Sequence, residues 1–244
     1  MNFYCQTDVG VKRKMNQDFV YASDQPVGPL PNLFIVADGM GGHKAGDYAS
    51  RMAVETMVGY IESCTAGKPI RLLREAIEAA NREVHAKAES DSAYAGMGTT
   101  MVAATVIDEL LYIANVGDSR LYVIDDRIDQ ITRDHSLVQE MVRKRQITKD
   151  EARVHPEKNV ITRAIGVHVG VEPDFFDVSL NPGDIVLLCS DGLSNMIPDG
   201  DLLKIVKSPG SLESVSHKLI DTANDNGGSD NISVVLVEPI DSGV

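Results

Sequence analysis

Six apolar runs of strand length divide the chain: Leu33–Ala37, Met101–Ile107, Leu110–Val116, Leu121–Ile124, Ile185–Cys189 and Ser233–Val237. Only Asp108-Glu109 separates the second run from the third, and the turn Asp125-Asp126-Arg127 follows the fourth. A parallel crossover needs a dozen residues or more, so strands with links this short are antiparallel. The runs are apolar at successive positions, with no clean alternation, which predicts strands covered on both faces. Sheet packed against sheet with helices outside satisfies that requirement.

The helices are legible from three-and-four spacing. Ala45, Ala49, Met52, Ala53, Thr56, Met57 and Tyr60 form one apolar stripe, and Leu73, Ala76, Ile77, Ala80 and Val84 form a second. A third, Leu212, Val215, Leu219, Ile220 and Ala223, precedes the last strand. The fold class expected is therefore α+β, with antiparallel sheets covered by helices. The stretch His135–Ile165 stands apart as polar and helical in pieces, with a Thr148-x-x-Glu151 capping-box pattern. It reads as an insertion beside the core, and the proline-rich Asp24–Pro31 reads as a plain surface loop.

Composition sets the class. The chain has 244 residues, 43% of them hydrophobic, enough for a substantial core. Its 36 Asp and Glu against 23 Lys and Arg give a net charge of −13. Such a surface repels phosphate backbones and anionic lipid, so neither nucleic acid nor a membrane is expected as a partner. Cys5, Cys64 and Cys189 form no CxxC pair and no disulfide framework, which suits a reducing compartment. No basic segment followed by an apolar stretch opens the chain and no run nears a bilayer's width, so a cytoplasmic, soluble protein is expected.

The position of the acids is more informative than their number. Asp38, Asp118 and Asp191 close apolar strands, Asp230 opens the last one, and Asp18 opens Phe19-Val-Tyr. A carboxylate at the rim of a buried strand is costly unless it is paired or metal-bound. One such Asp alone is usually a turn residue or a helix cap. Five, without matching Lys or Arg beside them, point to a shared cation site, and all-oxygen donors favour magnesium or manganese over zinc. The six histidines lack HxH or HxxxH spacing. Asp38-Gly-Met-Gly-Gly-His43 fits neither the GxGxxG nor the P-loop pattern; its glycines can bring backbone close to a metal or simply make a turn. Arg13, in Lys12-Arg13-Lys14, is either a solvated charge or a bidentate phosphate partner.

Together these motifs resemble the metal-dependent protein phosphatase family, protein phosphatase 2C, in its bacterial serine/threonine branch. The matching segments run in order from Thr7–Asp18 through Val36–His43, Gly96–Thr100, Val116–Arg120, Asp134–Ser136, His155-Pro156 with Ile161–Gly166, and Cys189–Leu193, to Gly227–Asn231. The resemblance implies a four-layer α-β-β-α sandwich over residues 1–240, with residues 135–165 as an inserted flap. It implies two or three manganese or magnesium ions: Asp38 bridging two, Asp191 and Asp230 completing one, the Gly39 carbonyl on the other, and Asp118 with Asp191 on a third. Arg13 would bind the substrate phosphate, Asp18 would orient metal-bound waters, and Asn231 would anchor Asp230. Gln17 stands where many members have Glu, and Met40 where eukaryotic members have a His, which leaves His43 as the candidate proton donor.

The activity implied is hydrolysis of phosphoserine and phosphothreonine by attack of a metal-bound hydroxide. A thiol mechanism is not expected, because no cysteine stands in a Cys-x5-Arg loop. Phosphoprotein substrates and a cognate serine/threonine kinase are the implied partners, and the chain is expected as a monomer. Two other readings compete: a catalytically silent phosphoprotein-binding module, and a two-metal hydrolase of small phosphate esters.

Overall fold

A computed structural model describes residues 1–42 and 45–239. Strands β1 (Asn2–Asp8), β2 (Asp18–Ser23) and β3 (Leu33–Met40) lead into two long helices, α1 (Ala45–Ser63) and α2 (Pro69–Ser90). A meander follows: β4 (Gly98–Thr99), β5 (Met101–Ile107), β6 (Leu110–Val116), β7 (Arg120–Ile124) and β8 (Ile128–Gln130). Two short helices, α3 (Leu137–Arg143) and α4 (Lys149–Val154), precede β9 (Asp174–Ser179) and β10 (Ile185–Cys189). The described chain ends with α5 (Asp191–Ser194), α6 (Asp199–Val206), α7 (Leu212–Asp225) and β11 (Ile232–Glu238).

One sheet runs β1-β11-β10-β7-β8 and the other β2-β3-β5-β6-β9, with β4 against the end of β3. All the pairings are antiparallel. Period-two alternation sends successive side chains to opposite faces. Thus Leu33, Ile35 and Ala37 of β3 pack under α1 and α2, while Phe34 and Val36 enter the space between the sheets. In β11, Ile232, Val234 and Leu236 pack against α7, while Val235 and Val237 face inward. The apolar-on-both-faces reading therefore corresponds to three stacked cores in an α-β-β-α sandwich, as the resemblance implies.

Two expectations are corrected. The Asp24–Pro31 segment is no plain surface loop: Val27 and Leu30 are buried, and each accepts the other's backbone N–H. Its Gly28, at φ +54°, lies so close to helix α1 that an added Cβ would meet the Ile61 carbonyl. Proline content announced an exposed turn, but two apolar side chains in it found the core. Asp38 and Gly39 do not follow β3 but belong to it, Asp38 opposite Asp18 and Gly39 opposite Thr99.

Two connections that pass between the sheets lie at one end, while residues 180–184, from β9 to β10, cross at the other. Residues 9–17 join β1 to β2, and Gly117-Asp118-Ser119 joins β6 to β7, each link leaving one sheet for the other. The end of β3, the start of α5 after β10, and the start of β11 lie at the same end.

Candidate active site

A cleft of about 230 Å³ opens at that end, lined by Arg13, Asp38, Gly39, Asp118, Asp191 and Asp230 among others. Register places the first pair: Asp18 heads β2 directly opposite Asp38 of β3. The Asp18 carboxylate is buried, and its Oδ2 accepts hydroxyls from Ser190 and Ser233, each at 2.7 Å. Its Oδ1 is buried with no hydrogen-bond partner among the described residues. Burial pushes the Asp18 carboxyl up to about 7, against the pull of the two serine hydroxyls and with Asp191 and Asp230 adding repulsion.

Asp191 begins the single turn of α5, where its Oδ2 accepts the Asn195 amide at 2.9 Å. Its Oδ1 is a second buried oxygen without a hydrogen-bond partner among the described residues. Burial, and then the charge of Asp230, raise this carboxyl to about 6, against the pull of Arg120 and Arg13. Asp38 itself is pushed well above the usual carboxylate range by burial, and further by Asp18, Asp191, Asp118 and Asp230. Asp118, buried in the sheet-crossing link, is likewise raised by burial and by Asp191. Among the described residues, no three His, Cys, Asp or Glu side chains close into a finished cation cage. The carboxylates share the cleft and repel one another across it.

Arg13 and Asp230 form an ion pair, Nη2 to Oδ2 at 2.7 Å. The proposed phosphate partner is thus held on a proposed metal ligand. Asn231, expected to anchor Asp230, donates its backbone N–H to Asp230 Oδ1 at 2.9 Å, and its side chain also ties down the neighbouring link: Nδ2 donates to the Val9 and Met15 carbonyls, and Oδ1 accepts the Gln17 N–H, all at 2.9 Å. That link carries Arg13. The carbonyl of Gln17 accepts Gly39 N–H at 3.0 Å and the Ser50 hydroxyl at 2.6 Å, joining the link to β3 and α1. Gly39 lacks a side chain for a packing reason. An added Cβ would stand 2.0 Å from the Gly46 carbonyl and 2.6 Å from that of Gln17. His43 lies outside the described residues.

Four hydroxyl residues escaped the sequence reading. Besides Ser190 and Ser233, Thr100 Oγ1 accepts the Asp38 N–H at 3.0 Å and is hydrogen-bonded to Ser119 Oγ at 2.7 Å. A signal was available for three of them: Ser119 and Ser190 adjoin Asp118 and Asp191, and Ser233 stands three residues after Asp230. Small hydroxyls beside strand-end carboxylates are the donors a buried acid needs.

The carboxylates suit hard cations. They supply only oxygen donors, and two buried carboxylate oxygens, on Asp18 and Asp191, lack any partner among the described residues. Among the described residues, the cation lining the cleft is Arg13, which is engaged by Asp230.

The comparisons point the same way. The family described as protein phosphatase 2C matches residues 9–236. The serine/threonine phosphatase stp of Listeria monocytogenes is 44% identical over 242 residues, covering 96% of this chain and 94% of that protein. The crystal structure of the serine/threonine phosphatase Stp1 from Staphylococcus aureus superposes with a TM-score of 0.90 at 37% identity, covering 96% of this chain and 93% of that one. The catalytic domain of the serine/threonine protein phosphatase PstP, solved in complex with two manganese ions, gives a TM-score of 0.87 at 34% identity over 98% of both chains. With the ordered motifs, the double-sheet fold and the aspartate-lined cleft all in agreement, this chain belongs to the protein phosphatase 2C family.

Proposed function

We propose that the chain is a metal-dependent phosphatase of phosphoserine and phosphothreonine in proteins. The observation that carries this reading is the cleft itself, lined by four aspartates with a fifth, Asp18, buried opposite Asp38, and with two buried oxygens, on Asp18 and Asp191, lacking partners among the described residues. Asp38, Asp191, Asp230 and the Gly39 carbonyl would hold two divalent ions, and Asp118 with Asp191 a third. When bound, manganese or magnesium supplies Lewis-acid stabilisation of phosphoryl charge and brings the ionisation of water toward neutral pH.

The protein's own groups do the rest. Arg13 spends one Nη2 donor on Asp230, which fixes the guanidinium at the cleft and leaves its other N–H groups for phosphate oxygens. Asn231 holds that arrangement by pinning the backbone on both sides of Arg13, at Val9 and Met15. Asp18, locked by two serine hydroxyls on Oδ2, presents Oδ1 as an acceptor that orients water. His43 is the candidate donor of a proton to the departing serine or threonine oxygen. No thiol competes for the phosphoryl group: Cys189 is buried, and burial pushes its thiol up to about 12.

Manganese-dependent release of phosphate from a phosphothreonine peptide tests the reading, with chelator and Asp38→Asn as controls. Release that chelator and Asp38→Asn both abolish is the expected result. In water labelled with heavy oxygen, the label is expected in the phosphate and not in the protein. Absence of metal-dependent turnover would favour the binding module, and turnover of nucleotides alone the small-ester hydrolase. We infer further that the partners are phosphoproteins and a serine/threonine kinase whose action is reversed here, and that the chain works as a cytoplasmic monomer. Among the described residues, no helix is long and apolar enough to cross a membrane.

A further inference from the structure

A second cavity, of about 430 Å³, lies between the His135–Ile165 insertion and the edge of the β7-β8 sheet. It shares Asp118 and Asp191 with the catalytic cleft, so the two spaces adjoin at those carboxylates. Its far side is cationic. Lys149 and Arg153 stand one turn apart on α4, the spacing that puts two side chains on one helix face, and Lys158 follows in the next turn of chain. Arg133 lines the opposite wall.

These four cations are uncommitted. Among the described residues none of them forms an ion pair, and only Arg153 is anchored, donating to the Ser194 carbonyl at 3.2 Å. The fifth cation, Arg120, is neutralised by Asp134 at 2.7 Å. On the far side the four free cations face only Asp150 and Asp199, so positive charge is in excess there, while the shared Asp118 and Asp191 balance it at the catalytic end. The insertion as a whole holds seven Lys or Arg against four Asp or Glu in a chain of net −13. A basic island beside the reacting phosphate, in an otherwise acidic protein, attracts anions that the rest of the surface repels.

We propose that this cavity is a subsite for a second anionic group of the substrate, a carboxylate or another phosphoryl group carried a few residues from the one hydrolysed. Its volume falls in the range that holds side chains and small ligands. Both anions share the recognition chemistry of Lys and Arg donors, and the substrate peptide would reach from one adjoining space to the other. The proposal deepens the phosphoprotein reading and rests on it.

The test measures binding without turnover. Fluorescein-labelled peptides carrying a non-hydrolysable phosphonate analogue of phosphothreonine, with neutral flanks or with glutamate or a second such analogue at successive flanking positions, are titrated by anisotropy onto the wild-type chain with manganese, and their phosphothreonine counterparts serve for turnover. A second anion is expected to tighten binding about tenfold at one preferred spacing. Adding Lys149→Glu and Lys158→Glu should erase that gain. Lys144→Glu, the same charge change on the insertion but outside the cavity wall, should leave it. In the otherwise wild-type chain, Lys149→Glu/Lys158→Glu should keep its turnover of p-nitrophenyl phosphate, which shows that the cleft is intact. A gain with the second phosphonate alone identifies the second group as phosphoryl, and an equal gain with glutamate identifies a general anion subsite. Equal affinity for every peptide, or a loss with Lys144→Glu as large as with the cavity pair, overturns the subsite. Failure of the phosphatase reading shows differently, as wild-type chain that binds the peptides but releases no phosphate from any of their phosphothreonine counterparts.

Discussion

At the scale of single residues, the site depends on donors that hold charged or strained groups in place. Asn231 satisfies three backbone groups on the link that carries Arg13, from a position more than two hundred residues away in sequence. Truncation to alanine leaves those groups buried and unpaired, which costs about 1–3 kcal/mol. Asn231→Ala is therefore expected to lower the melting temperature and to raise KM for a phosphopeptide more than it lowers kcat, because Arg13 loses its placement. Asn231→Asp keeps an acceptor for the Gln17 N–H but loses both donors, so it should not rescue. Steady-state kinetics and thermal melts of the two variants check this.

The buried carboxylates also predict a pH dependence. Asp18 at about 7 and Asp191 at about 6 hold their protons more tightly folded than unfolded, mainly because burial disfavours their charge. Their contribution to stability is full below about pH 4 and is lost as pH rises through about 6 to 7. Paired acids such as Asp174, lowered by His135 and Arg163, act in the opposite sense, so the comparison must isolate one group. In chelated protein, the melting temperature of Asp18→Asn relative to wild type should rise between about pH 5 and about pH 7.5. A difference that is flat or falls with pH would refute this assignment.

At the scale of elements, close backbone contact matters more than local preference. Gly39 sits in a strand, where the flexibility of glycine is a disadvantage, yet β3, α1 and the 9–17 link approach too closely for any side chain. Both obstructing atoms are backbone carbonyls, which cannot rotate away. Gly39→Ala is expected to cost about 3 kcal/mol and to reduce metal-dependent activity, as melts and metal titration would show. The sequence reading left glycine here either as a turn or as a metal approach, because a strand–helix contact leaves no periodic trace. Elements with strong local signals were legible: the α1, α2 and α7 stripes, the six apolar strands, and the Thr148 capping box, which forms with both of its arms. Strands β1 and β9 were not, since they are half-buried and mix polar with apolar residues. Their pairing is decided by neighbours far away in sequence, β1 with β11 among them.

At the scale of the whole molecule, the sandwich is a scaffold that brings carboxylates together against their own repulsion. The two sheets share one inner core, and each is covered by its own helices, so the rims can be crowded with like charge without loss of the interior. A bound divalent cation removes that repulsion and so should stabilise the fold. At a hundredfold excess of manganese over Kd the gain is about 2.7 kcal/mol, or about 5–10 °C in melting temperature for a chain this long. Scanning calorimetry with and without chelator measures the shift, and Asp38→Asn should abolish most of it. An unchanged melting temperature in wild type would remove the cation site from this cleft.

Local pattern was enough to establish the layers and to mark the acids. Apolar runs with short links required antiparallel sheets covered on both sides, and aspartates at the ends of such runs could not lie there uncompensated. Which groups compensate them is a matter of three dimensions. The hydroxyls on Asp18 come from 172 and 215 residues away, and the Arg13–Asp230 pair spans 217. The basic cavity closes because α4 meets α5 across 41 residues of sequence, where Arg153 donates to the Ser194 carbonyl. Periodicity reports which face of an element is buried, because burial acts on every third or second residue. It carries no record of what that face meets, because a contact across the fold is fixed by the packing of the whole chain.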